Sequence, residues 1–146
     1  MRVTSECTIR KAEPSDLAAL VRCDAFATSS VRREEALQLA INQRSCLLVE
    51  SDSELIGFIV VEHNFFGNGF IPLVCVAPQF QRRGIGLRLL AAAEQHCRTP
   101  KLFTSTNASN AAAQRLFARG GFVHSGTIED LDPGDPELVY FKLVGK

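Results

Sequence analysis

Two glycines two residues apart, Gly84 and Gly86, follow a pair of arginines in the stretch Gln81-Arg82-Arg83-Gly84-Ile85-Gly86. Glycine tolerates the left-handed backbone of sharp turns, so this chain segment can aim successive N–H groups into one concavity. A helical pattern opens at Ile85, and the first turn of a helix carries unpaired donors and the positive end of a dipole. That end favours an anion by about 0.3–1 kcal/mol, and by up to ~2 in a partly buried site. Arg82 and Arg83 add formal positive charge beside those donors. The chemistry offered is the holding of a phosphate or pyrophosphate. The plainer alternative is a turn in which the glycines serve only to start the helix.

Two familiar nucleotide loops are excluded by residue type. A P-loop ends in Gly-Lys-Ser/Thr, whereas Gly86 is followed by Leu87-Arg88. A dinucleotide fingerprint needs a third small residue three places after the second glycine, and Leu89 stands there.

Other chemistries find less support. His63, His96 and His124 lie far apart with no helical Hxxx[HE] spacing, so they read as ordinary polar side chains and no metal site is expected. Cys7, Cys23, Cys46, Cys75 and Cys97 are scattered, without a CxxC pair, and their odd number favours free thiols in a reducing compartment. Lysine plus arginine and aspartate plus glutamate number 16 each. That balance gives no global reason to bind nucleic acid or an anionic membrane. No apolar run approaches the roughly 20 residues that span a bilayer, and Met1 to Glu6 lacks the apolar core of a signal peptide. A cytoplasmic location is the expectation.

The elements that must position the loop can be read from the periodicity. Thr8 to Ala12 is a short strand, and Pro14-Ser15-Asp16 opens a helix with Ser15 as its cap and Leu17, Leu20 and Val21 on one face. Ser29-Ser30 interrupts it, and a second helix runs from Val31 to Gln43. Cys46 to Glu50, Leu55 to Val61 and Phe70 to Val76 form a three-strand meander, with a turn at Asn64 to Gly69 ending in the hairpin signal Asn68-Gly69. Pro72 cannot donate to a ladder, so a bulge or an unpaired stretch is expected there. A helix from Ile85 to about Arg98 buries Ile85, Leu89, Ala93 and Cys97 and allows a Glu94–Arg98 pair. Leu102 to Thr106 is a strand, Ser109-Asn110 caps a helix from Ala111 to Arg119, and Gly120-Gly121 ends it. Val123 to Ile128 and Leu138 to Val144 complete the chain as strands. The fold class is therefore α/β with a mixed sheet, about seven strands and four helices in one domain over residues 1–146.

Val74-Cys75-Val76-Ala77-Pro78-Gln79-Phe80-Gln81-Arg82-Arg83-Gly84-Ile85-Gly86-Leu87 resembles the acetyl-CoA motif of the GNAT superfamily of N-acetyltransferases, with its core Q/R-x-x-G-x-G/A. Asn107 to Ala113, with Leu116-Phe117 and Gly121-Phe122, resembles that family's next block. Within the family the chain is similar to short bacterial ribosomal-protein N-acetyltransferases, and the element order matches as well. The resemblance implies acetyl-CoA as cosubstrate, no metal, and direct attack of a primary amine on the thioester. It implies that Val74, Cys75 and Val76 pair with the pantetheine arm and that Gln81, Arg82, Arg83, Gly84, Ile85, Gly86 and Leu87 hold the pyrophosphate. Asn110 would hydrogen-bond the cofactor, and a homodimer is allowed for.

The chain departs from the family pattern where catalysis is concerned. The positions at which relatives carry a carboxylate base are Pro72 and Ser105, and the place of a tyrosine acid is Phe117. Yet a lysine-like amine, of pKa about 10.4, is neutral only about once in 2500 molecules at pH 7, a cost near 4.6 kcal/mol. Glu62, beside His63, and Glu129 are the base candidates, each where a strand runs into a loop. Glu129 is one of five carboxylates, with Asp130, Asp132, Asp135 and Glu137, in a segment that also reads as a solvated turn. Tyr140, the sole tyrosine, reads as strand packing. A noncatalytic acyl-CoA-binding module is the rival reading, and polyamine, amino acid, antibiotic and protein N-terminus all stay open as acceptors.

Overall fold

The computed structural model describes residues 7–24 and 30–145. It contains β1 (Thr8–Lys11), α1 (Leu17–Cys23), α2 (Val31–Asn42), β2 (Cys46–Ser51), β3 (Glu54–Phe65), β4 (Asn68–Val76), α3 (Ile85–His96), β5 (Lys101–Asn107), α4 (Ala111–Arg119), β6 (Val123–Ile128) and β7 (Glu137–Leu143). The strands form one seven-stranded sheet in the order β1-β2-β3-β4-β5-β7-β6. The β4–β5 ladder is parallel, which a crossover through α3 requires, and it runs from Gly69↔Leu102 to Ile71↔Thr104. The ladders β1–β2, β2–β3, β5–β7 and β6–β7 are antiparallel.

The chain forms two compact units, Met1–Val60 with Leu73–Ala93 and Val61–Pro72 with Glu94–Lys146. In the first, Leu20, Leu37, Ala40 and Ile41 of the two N-terminal helices pack on Leu48, Phe58 and Val60 of the sheet, all buried. Helix α3 covers the sheet at Gly57, where Ile85 and Leu89 approach. In the second unit, Phe117 of α4 meets Phe122 and Tyr140 at ring separations of 6.1 and 5.6 Å. A second aromatic group joins Phe65, Phe70, Phe103 and Phe141 across the strands.

Several expected details differ, each for a local reason. Residues 14–16 form a 3-10 turn, and Asp16 rather than Ser15 closes it by accepting from the Glu13 N–H at 2.7 Å. Asp16 is also gripped by Arg10, whose guanidinium holds that carboxyl below its usual pKa. Ser30 caps α2 by accepting from the Arg33 N–H, while Ser29 and the segment Met1 to Glu6 lie outside the described residues. The hairpin turn is Phe66-Gly67, with φ of 52° and 78°, and Asn68-Gly69 already belong to β4. Both turn residues thus take the left-handed backbone of a type I′ turn, and Asn68 steadies it by donating to the Phe66 carbonyl. This lengthens β3 to Phe65. Helix α3 stops at His96, and Glu94 pairs with Lys142 at 2.8 Å instead of with Arg98. Pro72 stays within β4, one residue past Ile71, where the β4–β5 ladder ends.

Candidate functional site

Strand β4 delivers the chain to the glycine loop in a fixed geometry. Its end is held by the Ala77 N–H donating to the Ile56 carbonyl at 2.9 Å. A 3-10 turn, Pro78–Phe80, follows, with proline at its first position. The Gln81 side chain then reaches back and donates to the Val76 carbonyl at 3.0 Å, tying the loop to the strand that precedes it. Arg82 (φ 64°) and Gly84 (φ 82°) both take the left-handed backbone, and α3 begins at Ile85. Left-handed residues separated by an ordinary one turn the intervening peptides sharply.

The residue before α3 is Gly84, which has no side chain with which to close the helix's first turn. Its carbonyl accepts from the Arg88 N–H at 3.1 Å, so the helix is properly entered. A side chain built at Gly84 would meet nothing within 4 Å, and Gln81 to Gly84 are exposed. There is open space for a ligand at this point. The Arg83 guanidinium lies over the Phe80 ring, 5.8 Å from its centroid, which steadies a cation beside the loop. Ile85 and Leu89 are fully buried and anchor the helix, leaving the loop as its accessible end.

Val74, Cys75 and Val76 are half-buried on β4. Cys75 lies 4.0 Å from Cys23, sulfur to sulfur, and its own thiol donates to the Cys23 carbonyl at 3.3 Å. The shared hydrogen bond pushes the Cys23 thiol up and Cys75 down, and burial raises Cys23 further. Burial first, and then the Asp16 charge, take Cys46 up to about 12. The five cysteines are free thiols, as the scattered spacing predicts. Beneath β4, Gly57 of β3 is a close approach: a Cβ there would stand 2.9 Å from the Cys75 carbonyl oxygen. Motif reading passes over that glycine.

The remaining sequence-predicted residues belong to the second unit. Asn110 precedes α4 and its Oδ1 accepts from the Ala113 N–H at 3.0 Å, so the oxygen is engaged in capping. Glu62 is half-buried on β3, whereas Glu129 is exposed just past β6. His63 accepts from the Arg98 N–H at 3.0 Å and is partly buried, and burial first, then Arg98 and His96, hold its pKa below 6.5. Phe117 is 2% exposed and packed as a core residue. Ser105 donates to the Glu137 carboxylate at 2.6 Å, a contact between strands that no local signal in the sequence announces. Within the 129–137 segment, Asp132 accepts from Asn107 and Asp135 from the Ser109 N–H and hydroxyl, so those two carboxylates fasten the loop. Among the described residues no group of three or more His, Cys, Asp or Glu side chains could hold a metal.

This loop on this sheet defines an acyltransferase. The chain belongs to the acetyltransferase (GNAT) family, whose model matches residues 15–122. A GNAT-family acetyltransferase from Bacillus cereus is 34% identical over 94% of this chain and 96% of its own, with a TM-score of 0.87. A ribosomal-protein-alanine N-acetyltransferase from Brucella melitensis shares the fold at 23% identity, covering 93% and 99%, with a TM-score of 0.77. A Bacillus anthracis protein assigned as a streptothricin acetyltransferase, solved in complex with acetyl coenzyme A, shares it at 18%, covering 94% and 98%, with a TM-score of 0.78. No curated protein matches the chain.

Proposed function

We propose that this chain, working as one functional domain in the cytoplasm, transfers an acetyl group from acetyl-CoA to a primary amine. The amine attacks the thioester directly in a ternary complex. The observation that carries the reading is the left-handed turn at Arg82 and Gly84 immediately before α3, open to solvent and flanked by two arginines. N–H groups of residues 82–87 would hold the pyrophosphate, helped by the helix dipole. The backbone of Val74, Cys75 and Val76 would pair with the pantetheine arm, and one of those N–H groups would polarise the thioester carbonyl. Asn110 would offer its side-chain NH₂, since its oxygen caps α4. The acetyl coenzyme A complex of the similar Bacillus anthracis protein supports the choice of donor.

With Phe117 in the place of an acid, the thiolate leaves unaided, which its pKa near 8.5 permits. The amine, by contrast, must lose a proton first, and a carboxylate is the natural acceptor. Glu62 and Glu129 are the two that the sequence alone offers. The 16 to 16 charge balance supports a small amine or a peptide terminus as acceptor over nucleic acid. A thiol-release assay over polyamines, amino acids, an aminoglycoside and peptide N-termini tests the reading. Release above hydrolytic background with at least one amine is the expected result. Silence across the panel, with acetyl-CoA still bound in calorimetry, would make the chain a noncatalytic acyl-CoA-binding module.

A further inference from the structure

We infer that Cys23 and Cys75 are a redox-active pair, at which a hydroperoxide is reduced while a disulfide forms between the two sulfurs. Both belong to the first compact unit, Cys23 as the last residue of α1 and Cys75 near the end of β4. Their sulfurs lie 4.0 Å apart although 52 positions separate them along the chain. The chemistry is independent of acyl transfer and stands or falls without it.

Two hydrogen bonds fix how the pair meets. The Cys23 S–H donates to the Cys75 sulfur, and the Cys75 S–H donates to the Cys23 carbonyl at 3.3 Å. When Cys75 loses its proton, the Cys23 S–H already points at the sulfur that has become negative. Arg33, held at 2.7 Å by the buried Asp24 next to Cys23, brings a cation to the same neighbourhood. The Cys23 hydrogen bond, helped by Arg33, outweighs burial and the Asp24 charge and keeps the Cys75 thiol below its ordinary pKa. A thiolate is the reactive form. Cys75 is half-buried while Cys23 is 9% exposed, so the better nucleophile is also the more open of the two. That combination, with a second thiol in contact, is what oxidation to a sulfenic acid and its resolution require.

Cys46 and Cys97 are placed differently. Each is 1% exposed; burial first pushes the Cys46 thiol up, and the Cys97 sulfur is turned to the carbonyls of Thr99 and Lys101. In the pair, a bond length near 2.05 Å requires the sulfurs to close by about 2 Å, a movement of the size that rotation of a side chain supplies. The bridge would tie the end of α1 to the strand along which the pantetheine is proposed to run. In a reducing compartment it would be transient, made under oxidant and undone by thiols.

The step balances. The Cys75 thiolate attacks the terminal peroxide oxygen, the S–O bond forms and the O–O bond breaks. The departing alkoxide, or hydroxide from hydrogen peroxide, takes up the proton that Cys75 lost. The Cys23 sulfur then attacks the Cys75 sulfur, the S–S bond forms, and the S–O bond breaks. Hydroxide leaves with the Cys23 proton as water. Two thiols are oxidised, and one peroxide is reduced to an alcohol and water.

Hydrogen peroxide, at a few equivalents over the reduced full chain, tests this. Remaining thiols are alkylated in denaturant, and cleavage after arginine and glutamate then places each cysteine on its own peptide. Mass spectrometry should find the Cys23 peptide joined to the Cys75 peptide and the whole chain lighter by two hydrogen atoms. Dithiothreitol should reverse both. Cys23→Ser should leave Cys75 as a sulfenic acid that dimedone traps, and Cys75→Ser should give neither bridge nor adduct at Cys23. The wild-type peptide map decides the matter even where a variant fails to fold. Cys75 still fully alkylated, or joined instead to Cys7, Cys46 or Cys97, overturns the inference whatever the acetylation assay shows.

Discussion

Helices α3 and α4 begin in opposite ways. Helix α4 is closed by its own chain: Asn110 folds over the first turn and satisfies the Ala113 N–H at 3.0 Å. Helix α3 begins after Gly84, which has nothing to fold over, and after a left-handed turn that leaves open space beside it. Capping contributes about 1 kcal/mol to a helix, so a sequence that forgoes the cap gives up stability at that end. An anion that supplies the missing acceptors recovers it. The difference separates a helix start closed by its own side chain from one left open, where the pyrophosphate is proposed to sit.

The largest effect should come from closing the open end. In Gly84→Val with Gly86→Val, a branched side chain cannot take the φ of 82° that Gly84 adopts, and the donors lose their common direction. Acetyl-CoA binding should disappear from calorimetry, more than 10²-fold weaker, while circular dichroism still reports a folded protein. Undiminished affinity in a folded double variant would erase the contrast between the two helix starts. A smaller effect should follow from opening the closed end. Asn110→Ala should destabilise the protein by about 1 kcal/mol through the lost cap, read as a lower denaturation midpoint without ligand. Its acetyl-CoA affinity should drop only a few-fold. A large loss of affinity with no loss of stability would show that Asn110 serves the ligand first.

The smallest effect lies in His63 and sharpens the picture of the end of α3. Burial and the neighbouring Arg98 and His96 hold its folded pKa below 6.5, so the unfolded chain binds its proton more readily. Stability from this group is therefore complete above about pH 6.5 and declines as pH falls below that value, levelling off beneath the lowered folded pKa. Protonation would also place a hydrogen on Nε2 and break the bond from the Arg98 N–H. Chemical denaturation at pH 5 and pH 7.5 should show a drop that His63→Gln reduces. An identical drop in the variant would assign the acid sensitivity elsewhere.

The loop and the α4 cap were legible in the sequence because both are written within a few residues: glycine spacing and an asparagine before a helical pattern are local facts. The element order was legible for the same reason, since periodicity is local. The hairpin turn was misplaced because Phe66 takes a positive φ that a bulky side chain seldom adopts, and Asn68-Gly69 looked the better candidate. Tertiary geometry overrode that preference. The partners of Glu94 and Ser105 were illegible for another reason: Lys142 and Glu137 lie 48 and 32 positions away, and only tertiary packing brings Glu94 of α3 to Lys142 of β7, as strand register brings Ser105 to Glu137. The close approach at Gly57 escaped notice likewise, because a lone glycine in a β-branched run does not reveal what lies above it.

That approach has a further reach. At 2.9 Å from the Cys75 oxygen, the space over Gly57 admits hydrogen and no carbon. Even alanine would push the β4 backbone aside by a few tenths of an ångström, at the stretch proposed to lie along the pantetheine. A residue with no polar side chain of its own would thereby tune the alignment proposed for the acyl donor. In a library of random variants, position 57 should stand out as intolerant, with Gly57→Ala the mildest change and larger side chains lost from screens for expression as well as for turnover.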